Sequence, residues 1–183
     1  WYSADDHIHV RRSPRENPLI LKWVAAEGVH VGALLQMGDF WSDSYFTQYA
    51  WGQDGVYQVE DHLLTSGQEE PRTHALGHTI SMAADEFVRF QGEYYHYDRV
   101  FDRVRERGGV AGYAHQATSF YFRGHRGMTL DVLRNKVDFV EVLQFCSWSA
   151  CRMNSRSTAS AATGSTSYSS QGTAKNICRR LLQ

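Results

Sequence analysis

The stretch YYHYDRVFDRVRERGGVAGYAH, residues 94–115, decides the fold class because it joins a helix to a strand. Four apolar residues in its first half have the i, i+3, i+4 and i+7 spacing of an amphipathic helix: Tyr97, Val100, Phe101 and Val104. The spacing predicts a helix over about 94–107, which Gly108-Gly109 ends. The small apolar residues of 110–115 then predict a buried strand. A helix that leads directly into a strand is the repeating unit of an α/β protein.

Outward from this stretch, short apolar runs alternate with amphipathic segments from about residue 5 to residue 145. This alternation is typical of β-α units around a parallel sheet. The predicted strands cover 6–10, 29–37, 62–66, 78–83, 110–115 and 137–145. Two further helices are predicted, one through Leu19 and Val24 that stops at Gly28 and one over about 129–136. A chain of 183 residues is expected to form one α/β domain with a sizeable core.

Residues 39–58 are rich in aromatic residues and glycine and show no clean period. They predict a long loop that covers a site. Five aromatic residues of this segment are candidates for the lining of a hydrophobic substrate pocket: Trp41, Tyr45, Phe46, Tyr49 and Trp51. Core packing of the loop would use the same residues, and it is the preferred interpretation.

The two ends of the chain differ from its centre. Residues 157–173 are almost wholly Ser, Thr, Ala and Gly, so we expect them to be loosely structured. The predicted organisation is a folded domain, 1–150, followed by a low-complexity tail, 151–183, for which a shifted reading frame or a truncated gene fragment is one explanation. The chain begins without Met and runs straight into a histidine motif, which predicts that upstream sequence is missing and leaves localisation open.

Composition and charge exclude several kinds of partner. The formal net charge is -1 with nine His, which provides no basic surface for nucleic acid. No apolar run approaches the roughly 20 residues that cross a bilayer, so no membrane partner is expected. The three cysteines are an odd number without a CxxC pair, which argues against a disulfide framework. A small-molecule substrate remains the expected partner, with the oligomeric state open.

Asp6-His7-Ile8-His9 is the most informative motif. Residues i and i+2 of a strand lie on the same face about 7 Å apart, so His7 and His9 can direct their imidazoles at one point. Two neutral imidazoles suit Zn, Mn or Fe. Asp6 could orient a ligating histidine through its second nitrogen or merely cap the strand, and both roles stay open.

Three further candidate ligands stand at or near the ends of predicted strands: Glu69, His78 and His115. In Gly67-Gln68-Glu69, the glycine would let the backbone turn sharply and present the carboxylate at the sheet edge, where α/β proteins bind ligands. A glutamate has two oxygens and can bridge two cations, whereas each histidine supplies one nitrogen. The sequence therefore predicts a pair of divalent cations with a bridging hydroxide as the nucleophile of a hydrolase.

The set HxH, GxE, GH and GGVAGYAH, followed by VDFVEVLQF, resembles the PHP (polymerase and histidinol phosphatase) superfamily and, within it, the CehA/McbA-type metallohydrolases. The resemblance covers roughly residues 1–145. It implies a distorted TIM-like (β/α)7 barrel, here incomplete at the C-terminus, with metals at the C-terminal ends of its strands. It also implies that His7 and His9 bind one metal, that Glu69 bridges, and that His78 and His115 bind the second.

Two departures from the family pattern bear on the metals. The Thr-Asp-His that most members carry after the second strand is replaced by LQMGDF, residues 35–40, so a third metal is not expected, although Asp39 could still reach the site. The family's Gly-Ser-Asp has its nearest counterpart in Gly164-Ser165-Thr166. Because Thr166 is a poor substitute for a carboxylate, the first metal is expected to bind more weakly.

The preferred hypothesis is hydrolysis of an amide, carbamate or ester bond, with Glu69 and Arg72 as catalytic candidates. Arg72 could hold a substrate anion or form a solvated ion pair. A phosphoesterase is the first alternative, for which Arg72 and Arg123 are the candidate cations. A catalytically inactive metal-binding or ligand-binding domain is the second. The remaining histidines are expected at surface or satisfied positions: His30, His62, His74, His96 and His125.

Overall fold

A computed structural model of the protein describes residues 2–115 and 126–141. These residues form eight strands and three α-helices: β1 Ala4–Ile8, α1 Asn17–Ala26, β2 Val31–Met37, β3 Tyr57–Val59, β4 His62–Glu69, β5 Arg72–Thr73, β6 Gly77–Met82, α2 Tyr97–Glu106, β7 Val110–Tyr113, α3 Arg126–Leu133 and β8 Phe139–Val140. Two short 3-10 helices also occur, at Gly52–Gly55 and Gln91–Glu93. The α/β class predicted from the sequence is confirmed.

The strands form one curled sheet with the shape of half a barrel, in the order β1-β2-β4-β6-β7-β8. The pairs β1/β2, β2/β4 and β7/β8 are parallel. The longest of these pairings runs in unbroken register from Val31 opposite Leu63 to Met37 opposite Glu69. The short strands β3 and β5 pair with β4 and β6.

The prediction of a parallel sheet is wrong for β6, which runs antiparallel to both of its neighbours, β4 and β7. A parallel crossover needs a dozen or more residues. The connection from β4 to β6 covers only residues 70–76 and includes β5, so the chain turns back on itself. The sheet is therefore mixed, and a complete PHP-type barrel stays a prediction.

The two faces of the sheet bury different apolar layers. Leu34 and Leu64 point to the α1 side and pack against Ile20, Leu21 and Val24. Their neighbours along the same strands point the other way, into a core that includes Val31, Ala33, Leu35, Leu63, Ile80 and Met82. Each fully buried side chain of this size contributes about 1.5–3 kcal/mol, so the alternation fixes the register of β2 and β4.

Helix α2 covers β7 and matches its prediction closely. The four apolar residues at helical spacing are all buried against Ala111 and Tyr113. Gly108, at φ +78°, donates its N–H to the carbonyl of Arg105, and Gly109 donates to Val104. This pattern is the Schellman motif, in which a residue without a Cβ takes the left-handed conformation that ends a helix.

The aromatic loop departs from the preferred interpretation. Trp41 is 87% exposed, and Tyr45, Phe46 and Tyr49 are exposed as well, so core packing is wrong for these four. Trp51 is partly buried and packs against Phe87, with ring centroids 5.5 Å apart. No helix in the described ranges has the length and apolar character to cross a membrane.

Several predictions fall on residues 116–125 and 142–183, outside the described ranges. They concern the tail 151–183, the triplet 164–166, Arg123 and His125. The end of the last predicted strand, beyond residue 141, falls there as well. These remain sequence predictions.

Candidate metal centre

The topology brings all five predicted ligands to one edge of the sheet. The parallel strands β1 and β4 end there, which places His7, His9 and Glu69 together. Because β6 is antiparallel to β4, its first residues lie at the edge where β4 ends, and His78 is the second residue of β6. His115 follows the last residue of β7 by two positions, at the same edge.

One carboxylate oxygen of Glu69 faces the histidines of the first motif. Glu69 Oε2 lies 2.9 Å from His9 Nε2 and 3.6 Å from His7 Nε2. The two Nε2 atoms are 3.0 Å apart. The three atoms thus form a compact triangle, which we call the first triad.

The other oxygen faces the remaining two histidines. Glu69 Oε1 lies 2.7 Å from His78 Nδ1 and 3.3 Å from His115 Nε2, and these nitrogens are 3.2 Å apart. This second triad has Arg72 at its border, with Nε 3.4 Å from Glu69 Oε1 and Nη1 donating to the carbonyl of Gly38. Glu69 is therefore shared by two histidine pairs.

The site is buried and electrostatically coupled. Burial alone would raise the pKa of Glu69, but the hydrogen bonds from its four histidines hold that pKa well below its usual range. Burial alone would lower the pKa of His7, yet hydrogen bonds to Glu141 and Glu69 raise it to about 9. The pKa of His78 is lowered, first by burial and also by its electrostatic interactions with Arg72 and His115. An ionised carboxylate amid imidazoles is a typical donor set for a divalent cation.

The spacing of the donor atoms fits a metal. The ligand atoms of His7, Glu69 and His115 all lie within 4.8 Å of one another, so this cluster could hold an ion. Zinc binds nitrogen at about 2.0–2.1 Å, which places neighbouring ligand atoms about 3 to 3.5 Å apart around one ion. The distances within each triad, 2.7 to 3.6 Å, are close to that spacing.

Gly67 acts differently from its prediction. Strand β4 continues through Gly67 to Glu69, so no sharp turn precedes the carboxylate. A Cβ at Gly67 would lie 2.7 Å from a methyl carbon of Leu35 and 2.8 Å from the carbonyl oxygen of Ser81. The glycine permits close packing of three strands beside the site.

Asp39 and Asp6, the two acidic residues considered as contributors to the site, make other contacts. The side chain of Asp39 accepts hydrogen bonds from the backbone N–H groups of Trp41 and Ser42, which stabilises a turn in the aromatic loop. Among the described residues, no hydrogen bond joins the Asp6 side chain to a histidine. Burial, followed by the charge of Glu141, raises the pKa of Asp6 to about 6.

The other histidines divide into two groups. His74 and His96 are exposed, as predicted. His30 and His62 are only partly buried and stack on each other, with ring centroids 5.0 Å apart and planes 14° apart. Both contact Asp61. The sequence does not indicate this pairing, because His30 directly precedes β2 and His62 begins β4, 32 residues later.

Sequence reasoning missed Glu141. One of its carboxylate oxygens lies 2.9 Å from His7 Nδ1, and the other accepts the backbone N–H of His115 at 2.7 Å. A charged residue within the apolar run 137–145 was the available signal.

No protein-family model matches the chain, and no curated protein matches it at a significant level of sequence similarity.

Proposed function

We propose that this chain is a metal-dependent hydrolase domain that uses two divalent cations, Zn, Mn or Fe, to cleave an amide, carbamate or ester bond. The observation that carries the proposal is the position of the Glu69 carboxylate, whose two oxygens face separate histidine pairs. A carboxylate in this position can bridge two ions, with His7 and His9 on one side and His78 and His115 on the other.

Bound cations would lower the pKa of a water molecule toward neutrality and polarise the scissile oxygen. The protein's own part is to hold the donor atoms rigidly. Each ligand stands on a strand or within two residues of one, and the four histidines and Glu69 form a largely buried cluster. Arg72, at the border of the second triad, would stabilise negative charge that develops on the substrate.

The direct test is metal content together with turnover. The purified 183-residue chain is expected to retain two divalent cations after dialysis, measured by elemental analysis, and to hydrolyse aryl carbamate or aryl ester substrates. Chelation is expected to abolish turnover, and added metal to restore it. A chain that binds no metal contradicts the proposal. Metal without turnover on any substrate would instead support an inactive metal-binding domain.

A phosphoesterase is the second candidate, and the position of Arg72 favours it. The guanidinium lies at the metal edge and is partly exposed, as a group that holds phosphoryl oxygens must be. Parallel assays with aryl phosphate separate the candidates. Arg72→Lys keeps the charge but loses the fork geometry, so it should impair phosphoester cleavage more than carbamate cleavage.

A further inference from the structure

We propose that Glu141 is a positioning residue that fixes His7 as an Nε2 ligand and holds the backbone of His115, so that one carboxylate orients a ligand of each triad. The inference rests on the proposed function, because the orientation matters for binding metal. It assigns Glu141 a task separate from that of Glu69.

The first contact sets the tautomer of His7. Glu141 Oε1 lies 2.9 Å from His7 Nδ1, and a carboxylate can only accept a hydrogen bond. Nδ1 must then carry a proton, so Nε2, which lies 3.0 Å from His9 Nε2 and 3.6 Å from Glu69 Oε2, is the nitrogen that would give up its proton and bind a metal. A carboxylate behind a histidine in this way fixes the ring and makes the opposite nitrogen more basic.

The second contact sets the backbone of His115. This residue has φ +36°, in the left-handed region that costs a non-glycine residue roughly 1 kcal/mol or more. Its N–H donates to Glu141 Oε2 at 2.7 Å, which holds the backbone there. In that conformation the imidazole reaches Glu69, with Nε2 3.3 Å from Oε1.

The strand pairing places Glu141 where it can make both contacts. Its own backbone N–H donates to the carbonyl of Tyr113 at 2.9 Å, which extends the β7/β8 register by one residue. Its side chain is only 7% exposed. Each of its two oxygens accepts one of these hydrogen bonds, which is the arrangement expected of a positioning residue.

The chain offers a matched control in Asp138. Like Glu141, it is a carboxylate near β8 that accepts a backbone N–H from the β7 segment, that of Ala111 at 2.9 Å. It pairs with Arg105 and contacts none of the five predicted ligands. Asp138→Asn therefore removes a comparable carboxylate without touching the metal centre.

The test compares metal affinity in wild type, Glu141→Gln, Glu141→Ala and Asp138→Asn, by competition of Zn²⁺ with a coloured chelator. We expect both Glu141 variants to lose about 10- to 100-fold in affinity while Asp138→Asn stays at the wild-type value. A second readout is the low-field Nδ1–H proton resonance of His7, observed by NMR in protein carrying ¹⁵N-labelled histidine. It should be present in wild type and Asp138→Asn and lost in Glu141→Ala.

Equal Zn²⁺ affinity in all four proteins would overturn the proposal. So would loss of one metal in Glu141→Ala with an unchanged His7 resonance, because Glu141 would then be a ligand. If Glu141→Ala does not fold, the nearly isosteric Glu141→Gln decides through its affinity. If wild type itself binds no metal, the proposed function fails, and the NMR readout still decides whether Glu141 holds His7.

Discussion

Two histidine clusters lie at opposite ends of the same pair of strands. The metal centre contains Glu69, the last residue of β4, and the second cluster contains His62, the first residue of β4, with His30, Asp61 and Ser3. We call the second one the His30 cluster. Both join a carboxylate to imidazoles, yet their side chains are arranged in different ways.

The difference lies in convergence and burial. In the His30 cluster the two imidazole rings are stacked almost parallel. The hydroxyl oxygen of Ser3 lies 2.9 Å from His30 Nδ1, within hydrogen-bond distance. Asp61 lies 2.8 Å from one ring nitrogen of His62 and 3.7 Å from one of His30. Its side chain is 54% exposed, whereas that of Glu69 is 3% exposed.

Solvent explains why the two clusters should behave differently. Two unit charges 4 Å apart attract by about 1 kcal/mol in water and about 4 kcal/mol at the effective dielectric constant of a protein surface. The exposed Asp61 should interact with its histidines with an energy near the value in water, whereas the buried Glu69 should interact more strongly. Proximity of histidine to a carboxylate is therefore a weak criterion for a metal site, and buried convergence of donor atoms is a stronger one.

The largest expected effect comes from removing the carboxylate of each cluster. Glu69→Gln deletes the negative charge that both triads share, so metal affinity should fall by more than about 100-fold, beyond the range for residues that only support ligands. Asp61→Asn should leave metal affinity unchanged. Metal content after dialysis, measured by elemental analysis, checks both. Retention of metal by Glu69→Gln, or its loss from Asp61→Asn, would remove the contrast between the clusters.

Single-histidine variants test the contrast between the metal centre and the His30 cluster through the number of metal ions bound per chain. His9→Ala affects only the first triad and His115→Ala only the second, so each should lower the stoichiometry from two metals per chain to one. His62→Ala should keep both. Loss of all metal in His115→Ala would indicate one shared ion, in keeping with the grouping of His7, Glu69 and His115 within 4.8 Å.

Features that depend on residues close together in the sequence were predicted correctly. Helix α2 and its glycine end follow from spacing within one segment, and five candidate ligands stand on or beside strands that the structure confirms. The family resemblance behind their assigned roles stays a prediction. Local patterns suffice here because each of the five ligands lies near one end of a strand, and at a single edge of the sheet β1, β4 and β7 end and β6 begins.

Features that depend on distant partners were not predicted. His7 and Glu141 are 134 residues apart in the chain, and nothing local to either one indicates their contact. The direction of β6 was also missed, since apolar runs carry no information on strand orientation. The left-handed conformation of His115 is a third case, because Glu141, which accepts its backbone N–H, is 26 residues away in the chain.

Metal binding should also stabilise the fold through the metal centre alone. An ion that binds only the native state at 100 times its dissociation constant adds about 2.7 kcal/mol to the free energy of unfolding. Wild type and His62→Ala should show this gain in urea titrations, and a chelator should remove it. Glu69→Gln should show little gain at the same metal concentration. Equal metal stabilisation of Glu69→Gln would mean that the ions bind elsewhere.

The smallest expected effect concerns the aromatic ring beside each cluster. Phe46 lies against His9 with ring centroids 5.2 Å apart, and Tyr2 meets His30 at 5.3 Å. Phe46 covers one side of the first triad, so Phe46→Ala admits water there and should speed release of metal to a chelator by less than about 10-fold, or 1.4 kcal/mol. Tyr2→Ala should leave the release rate unchanged. Because aromatic pairs contribute only about 0.5–1.5 kcal/mol, a larger change in Phe46→Ala would mean that the exposed loop, and not the buried donor set, controls the metals.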